Sequence, residues 1–151
     1  MSEHTVLAAA YRAARYLVLL ENGPLELRVG IRDEAAEARL AGATSAGHWA
    51  LVTPCNPRSV PLTDEENLRL YRQMRAELEA RHQAWIPTLH RDPEGLWPDE
   101  PGFLLIEPPP ERTTDLGRRY QQNALVLLRT GSAPELLWLD EASRFTGSAQ
   151  R

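Results

Sequence analysis

Three strand-length runs of apolar residues constrain this sequence more than any other feature. They are YLVLL at residues 16–20, FLLI at 103–106 and ALVLL at 124–128, and none of them alternates between apolar and polar positions. A strand that is apolar on both sides has to be covered on both faces of its sheet. We expect helices on both sides of the sheet, and the alternative is a homodimer in which a second copy of the chain closes one sheet face.

The patterns around these runs give a complete order of elements. Residues 25–31 alternate between apolar and charged positions, which is typical of a half-solvated antiparallel strand. Asn22-Gly23 is the turn signal that precedes it. The sequence predicts a single α+β domain with the order α-β-β-α-β-α-β-β-α-β-β, about four helices and a mixed or largely antiparallel sheet.

The clearest local signal is the start of a long helix. Thr63 and Glu66 have the spacing of a capping box, in which each side chain bonds the backbone of the other residue. The helix is predicted to run to about His82 and to present a narrow apolar stripe. That stripe consists of Leu68, Tyr71, Met74 and Leu78.

Prolines and glycines limit the remaining elements. Pro87 interrupts the next strand and therefore favours an edge position for it. Residues 93–102 are predicted to form a loop, with a strand beginning at Phe103. Gly117 lies inside a predicted helix, where glycine costs about 1 kcal/mol relative to alanine, so we expect close packing against it.

Composition excludes several classes of partner. The 151 residues carry a net charge of −4, and the 17 basic residues form no stripe, so duplex nucleic acid is not an expected partner. Arg12 and Arg15 interrupt the N-terminal apolar stretch, which predicts neither a signal peptide nor a membrane span. One cysteine excludes an internal disulfide and favours a cytoplasmic location. Length predicts one domain over residues 1–142, followed by a frayed tail at 143–151.

Residues 53–59, TPCNPRS, form the first candidate site. The Asn-Pro step keeps Asn56 out of the helical region, and its side chain is able to bond nearby backbone. Arg58 and Ser59 place further donors beyond the end of a strand, where ligands often bind. The segment, including Thr53, is therefore either part of a pocket or a structural loop whose polar groups satisfy one another.

Other polar and aromatic residues extend this hypothesis. Asn67 shares the buried helix face in the first turn, so we expect its amide to brace the 53–59 loop. Trp97 either forms the wall of a ligand site or anchors a proline-rich loop. Gln122 and Asn123 either contact a ligand or end the helix before the next strand.

Several segments together resemble a known bacterial family, the domain of unknown function DUF3293. They are Thr53-Pro54-Cys55-Asn56-Pro57-Arg58-Ser59, Glu66-Asn67, Asp92-Pro93-Glu94-Gly95, Trp97-Pro98, Pro101, Phe103-Leu104-Leu105, Leu116-Gly117-Arg118-Arg119-Tyr120 and Gln122-Asn123-Ala124. The resemblance extends from about Tyr16 to Leu139 and implies no activity. Cys55 stands where the family pattern also takes aromatic residues, so a cysteine nucleophile is not implied. Gly102 stands where serine is usual, so a catalytic serine is absent there.

No metal site or cofactor is expected, because the four histidines lack ligand spacing and no glycine-rich phosphate loop exists. We expect a module that binds a small polar molecule or another partner through a pocket. Its candidate residues are Thr53, Asn56, Arg58, Ser59, Asn67, Trp97, Gln122 and Asn123. The alternatives are an enzyme on a small anionic or nucleotide-like substrate, with Arg58 as anion clamp, Asn56 stabilising charge and Glu100 as base, or a self-assembling protein without a pocket.

Overall fold

The structure, a computed structural model, describes residues 3–139 and their side chains from residue 5 onward. The predicted boundary at residue 142 and the tail at 143–151 lie outside that range. The helices are α1 (Glu3–Ala13), α2 (Glu34–Thr44), α3 (Asp64–Ala80) and α4 (Pro110–Arg119). The strands are β1 (Arg15–Leu20), β2 (Gly23–Leu27), β3 (His48–Val52), β4 (Trp85–Arg91), β5 (Glu100–Ile106), β6 (Ala124–Arg129) and β7 (Glu135–Trp138). This is the predicted order of elements, and the α+β single domain is confirmed.

All seven strands form one sheet with the order β2-β1-β4-β5-β3-β6-β7. Every neighbouring pair is antiparallel, so the largely antiparallel sheet is also confirmed. The middle strand of the sheet is β5, between β4 and β3, and Leu51 of β3 lies opposite Leu104 on one side and Val126 on the other. The three non-alternating runs lie in β1, β5 and β6, and each of these strands has a neighbour on both sides.

Helices of the same chain pack on both faces of the sheet, as expected from the apolar runs. Ala36 and Leu40 of α2 join one apolar cluster, which contains Trp49, Leu51 and Leu104. Met74 and Leu78 of α3 and Leu116 of α4 join a second cluster, which contains Ala50, Phe103 and Leu105. These strand residues alternate along β3 and β5 with those of the first cluster, so the second cluster lies on the opposite face of the sheet. Closing a face therefore requires no second copy of the chain.

Several local expectations were wrong. The central residues of the first hairpin turn are Glu21 and Asn22, because Leu20 pairs with Gly23. Strand β4 lies between β1 and β5 and is not an edge strand. Pro87 is tolerated there because the pairing of β4 with β1 stops at Thr88, opposite Val18.

Other elements begin or end differently from their predictions. Strand β5 begins at Glu100, three residues before the predicted start, and so includes Gly102. Helix α3 ends at Ala80, and Leu68 is 47% exposed, so the apolar stripe is shorter than predicted. Among residues 3–139, no helix is both long enough and apolar enough to cross a membrane.

Candidate functional site

A cavity of about 350 Å³ opens at one end of the sheet, where β3 and β4 end and β1, β5 and β6 begin. One wall is α1, and another is the loop that connects β4 to β5. Apolar and aromatic side chains dominate the lining, including Leu7, Tyr11, Tyr16, Leu51, Leu96, Trp97 and Val126. The polar side chains are Thr53, Asn56, Ser59, His90, Arg91, Asp92, Glu94, Glu100 and Gln122.

The loop after β3 and the corner between α4 and β6 meet directly beside this cavity. Gln122 Nε2 donates to the Cys55 carbonyl at 3.1 Å, and Asn123 Nδ2 donates to Ser59 Oγ at 2.8 Å. The backbone N–H of Arg58 donates to the Gln121 carbonyl at 2.7 Å. Three hydrogen bonds therefore join segments more than 60 residues apart in sequence.

Asn56 is the centre of the 53–59 loop. Its backbone has a φ of 48°, in the left-handed region that asparagine tolerates better than most residues. The amides of Asn56 and Asn67 pair reciprocally: Asn56 N–H donates to Asn67 Oδ1, and Asn67 Nδ2 donates to Asn56 Oδ1, both at 2.9 Å. Leu62 N–H also donates to Asn56 Oδ1 at 2.9 Å. The first turn of α3 thus braces this loop, as the position of Asn67 predicts.

Glu100 brings a carboxyl group to the cavity. It is partly buried at the start of β5, and Asn56 Nδ2 donates to its Oε2 at 2.5 Å. Desolvation raises the pKa of Glu100, and the hydrogen bond from Asn56 opposes that rise. A carboxyl group with a raised pKa in a cleft is a common feature of functional sites.

Tyr11, Tyr16 and His90 surround the same region. Desolvation, followed by the nearby Glu100 charge, raises the pKa of Tyr11 to about 12. Desolvation also raises the pKa of Tyr16, with smaller contributions from Tyr11 and Glu100. The rings of Tyr16 and His90 meet edge to face at 4.9 Å. Desolvation lowers the pKa of His90 to about 4, so its imidazole is neutral near pH 7.

The environment of Cys55 does not activate its thiol. Cys55 is buried, and desolvation raises its pKa to about 11. Its backbone N–H donates to Thr53 Oγ1, whose hydroxyl donates in turn to the Pro101 carbonyl. A reactive cysteine nucleophile requires a lowered pKa, so the surroundings of Cys55 favour a role in packing and hydrogen bonding over nucleophilic catalysis.

The loop between β4 and β5 is organised by Asp92. Its Oδ1 accepts from Glu94 N–H, and its Oδ2 accepts from the N–H groups of Leu96 and Trp97 at 2.8 and 3.1 Å. This arrangement holds the indole of Trp97 along the cavity while 41% of the residue stays exposed. Trp97 is therefore a wall residue whose loop is fixed by backbone hydrogen bonds.

Five of the eight predicted candidates line the cavity, and three do not. Thr53, Asn56, Ser59, Trp97 and Gln122 line it. Arg58, Asn67 and Asn123 lie outside the lining, and the Arg58 guanidinium instead donates to Gln121 Oε1 at 3.3 Å. Arg58 is turned away because its own φ of 57° is left-handed, a conformation that the sequence did not predict for an arginine.

The contribution of α1 was missed by sequence reasoning. Leu7, Ala10 and Tyr11 line the cavity, yet this segment has only the Ala-rich pattern of an ordinary helix. Sequence reasoning also did not include His90, which lines the cavity, among the candidate residues. Within residues 3–139, no three His, Cys, Asp or Glu side chains are grouped closely enough to hold a metal ion.

Comparison with known proteins adds a family to this geometry. Residues 52–125 match the model of a family described as "Protein of unknown function (DUF3293)". The match supports the assignment to this family that the sequence segments indicate. No curated protein and no solved structure matches the chain significantly.

The DUF3293 segment contains part of the cavity and leaves the rest outside. It includes Asn56, Glu100 and all the other predicted candidate residues, but it excludes α1 and β1, which carry Tyr11 and Tyr16. The matched range is also shorter than the resemblance over residues 16–139. The cavity is therefore completed by elements that precede the DUF3293 segment in the chain.

Proposed function

We propose that this protein binds a small organic molecule in the cavity beneath α1. One observation carries the proposal: hydrogen bonds join two loops, distant in sequence, beside a cavity of about 350 Å³, and Asn56, Ser59 and Gln122 of these loops line it. Small-molecule sites typically enclose about 300–1,000 Å³ and combine apolar walls with a few fixed polar groups. This cavity has both properties.

The lining indicates the kind of molecule that fits. Tyr11, Tyr16 and Trp97 offer aromatic surface to an apolar body, while Asn56 and Gln122 already hold fixed positions in hydrogen-bond networks. Such preorganised groups lower the entropic cost of binding. We therefore propose a ligand with an apolar or aromatic body and one polar end.

A thermal-shift screen of neutral, cationic and anionic small molecules tests this function. We expect at least one class to raise the melting temperature, because a ligand that binds only the folded state stabilises it. Ala10→Trp is the blocking variant, since Ala10 lines the cavity from α1 and a tryptophan there fills space that the ligand needs. Arg12→Trp, on the same helix but outside the lining, is the matched control.

The two variants separate the cavity from the rest of the surface. Ala10→Trp should remove the shift given by a ligand that still stabilises Arg12→Trp. If no compound in the screen raises the melting temperature of the unaltered protein, the proposed function is wrong. A shift that survives in Ala10→Trp would place the ligand elsewhere.

Catalysis is the second candidate function, and Glu100 is the observation that favours it. Its carboxyl group has a raised pKa, which is the property required of a general acid or base near neutral pH. Within the described residues no unpaired arginine lines the cavity beside it, because Arg58 is outside the lining and Arg91 is paired with Asp99 at 3.3 Å. Incubating a ligand with the protein and following its mass distinguishes catalysis from binding. A mass change that disappears in Glu100→Gln would establish catalysis.

A further inference from the structure

Glu100 has no cationic partner among the described residues. Its Oε2 accepts one hydrogen bond from Asn56, and its Oε1 accepts none within that part of the chain. The arginine in the lining, Arg91, already contacts Asp99, and the guanidinium of Arg58 is bonded to Gln121. The cavity therefore contains a carboxyl group whose hydrogen-bonding capacity is only partly used.

Such a group is costly unless something compensates for it. A carboxylate removed from water loses solvation, and a single amide hydrogen bond restores only part of that loss. A cation bound beside Glu100 would supply the missing interaction, and a charge-assisted hydrogen bond to Oε1 would be among the stronger ones in proteins. The unused acceptor oxygen of Glu100 therefore favours a positively charged ligand.

The remaining charges and rings in the lining favour the same sign. Three carboxylates, those of Asp92, Glu94 and Glu100, line the cavity together with the guanidinium of Arg91, and a cleft with an excess of one sign of charge concentrates ions of the other sign. Tyr11, Tyr16 and Trp97 contribute aromatic rings, whose faces attract organic cations. Asp92 is itself occupied by three backbone N–H groups and Glu94 is exposed, so Glu100 is the partly buried carboxyl group that remains as the direct partner.

We propose that the ligand is an organic ammonium, with its protonated nitrogen bonded to Glu100 and its apolar body against the aromatic walls. This inference rests on the proposed function and makes it specific for a chemical class. It also differs from the enzyme alternative, in which Arg58 would clamp an anionic substrate, because Arg58 lies outside the cavity lining.

Three probes of nearly equal shape test the inference: phenethylamine, 2-phenylethanol and phenylacetate. They present an ammonium, a hydroxyl and a carboxylate on the same aromatic body. Isothermal titration at pH 7.5 should show phenethylamine binding at least about tenfold more tightly than 2-phenylethanol, a factor that corresponds to about 1.4 kcal/mol. Phenylacetate should bind most weakly.

Glu100→Gln is the decisive variant, because it removes the charge and keeps an oxygen that can accept from Asn56. It should abolish the preference for the amine over the alcohol, while Glu79→Gln, an exposed carboxylate on α3, should retain that preference. Ala10→Trp should block phenethylamine. Circular dichroism of each variant verifies that it folds.

The outcomes distinguish this inference from the proposed function. Equal binding of amine and alcohol, a preference that persists in Glu100→Gln, or no binding of phenethylamine would each overturn the ammonium inference. The proposed function would survive those results if the wider screen yields a neutral or anionic ligand that Ala10→Trp blocks. Failure of every compound in that screen would overturn both.

Discussion

The backbone of the neighbouring strand β3 packs closely against Gly102 of β5. A Cβ atom added there would lie 2.6 Å from the Val52 carbonyl oxygen and 2.9 Å from His90 Nε2. We expect Gly102→Ala to lower the free energy of unfolding by about 1–3 kcal/mol, because overpacking forces backbone to move. Urea unfolding followed by circular dichroism measures this loss.

Gly42 provides the matched control. It lies within α2, and an added Cβ would have no heavy atom within 4 Å. Gly42→Ala should therefore keep or raise stability, by up to about 1 kcal/mol, because alanine favours the helix. If Gly102→Ala unfolds at the same urea concentration as the unaltered protein, the packing explanation for this glycine is wrong.

Single residues could be predicted from the sequence where their spacing determines their neighbours. Asn67 lies four residues before Tyr71 on α3, which was enough to predict its bond to the preceding loop. Gly117 was expected to be in close contact, and a Cβ there would overlap with Leu139 Cδ1. The direction of Arg58 was not predictable, because three non-glycine residues of its loop adopt positive φ values.

At the scale of elements, the capping box of α3 supports the site through Asn67. Thr63 Oγ1 accepts from Glu66 N–H at 3.1 Å, and Glu66 Oε1 accepts from Thr63 N–H at 3.1 Å. Thr63→Ala should lower the free energy of unfolding by about 1 kcal/mol. It should also speed amide exchange at Asn56, whose N–H is bonded to Asn67 in that first turn. Hydrogen exchange followed by NMR measures the second effect.

Thr114→Ala is the control for this element. Thr114 is half-buried on α4, and its hydroxyl donates to the Pro110 carbonyl without serving as a cap. Its loss should leave exchange at Asn56 unchanged. If Thr63→Ala neither speeds amide exchange at Asn56 nor lowers the free energy of unfolding by a measurable amount, the first turn of α3 does not stabilise the loop.

The order of elements followed from local pattern, and the exceptions have physical causes. Helix caps and apolar runs act over a few residues, so α3 and the central strands were recognisable from sequence. The position of β4 depends on which strands pair across the sheet, and Pro87 was misleading because its missing N–H falls beyond the end of the β1 pairing. Whether a strand lies at the edge or in the interior depends on how all the strands of the sheet pair.

At the scale of the molecule, the cavity exists because distant segments meet at one end of the sheet. A pocket containing both Asn56 and Gln122 requires the loop after β3 to meet the corner before β6. The hydrogen bond from Gln122 Nε2 to the Cys55 carbonyl joins these two segments. The third contributor, α1, could not be assigned from the sequence, because its Ala-rich pattern does not specify which sheet face it covers. The polar residues of the site could be predicted from the sequence, whereas the apolar residues that form its walls could not be told apart from ordinary core residues.

The response of the molecule to acid depends on His90. Its pKa falls from 6.5 to about 4 in the folded state because of desolvation, so the unfolded chain takes up a proton first as pH decreases. The stability that this neutral imidazole contributes is complete above pH 6.5 and is lost as pH falls towards 4. Glu100 acts in the opposite sense, since its raised pKa favours folding below its ordinary value of 4.5.

We therefore expect the free energy of unfolding to fall by about 2 kcal/mol more between pH 7 and pH 4.5 in the unaltered protein than in His90→Gln. Urea unfolding at the two pH values gives this difference, and comparing the change with pH removes any constant effect of the substitution. His48→Gln is the control, because His48 is an exposed histidine whose Nδ1 lies 3.7 Å from Glu107. Equal pH dependence in His90→Gln and the unaltered protein would mean that the imidazole of His90 is solvated in the folded state, and the cavity would then be open to water on the β4 side.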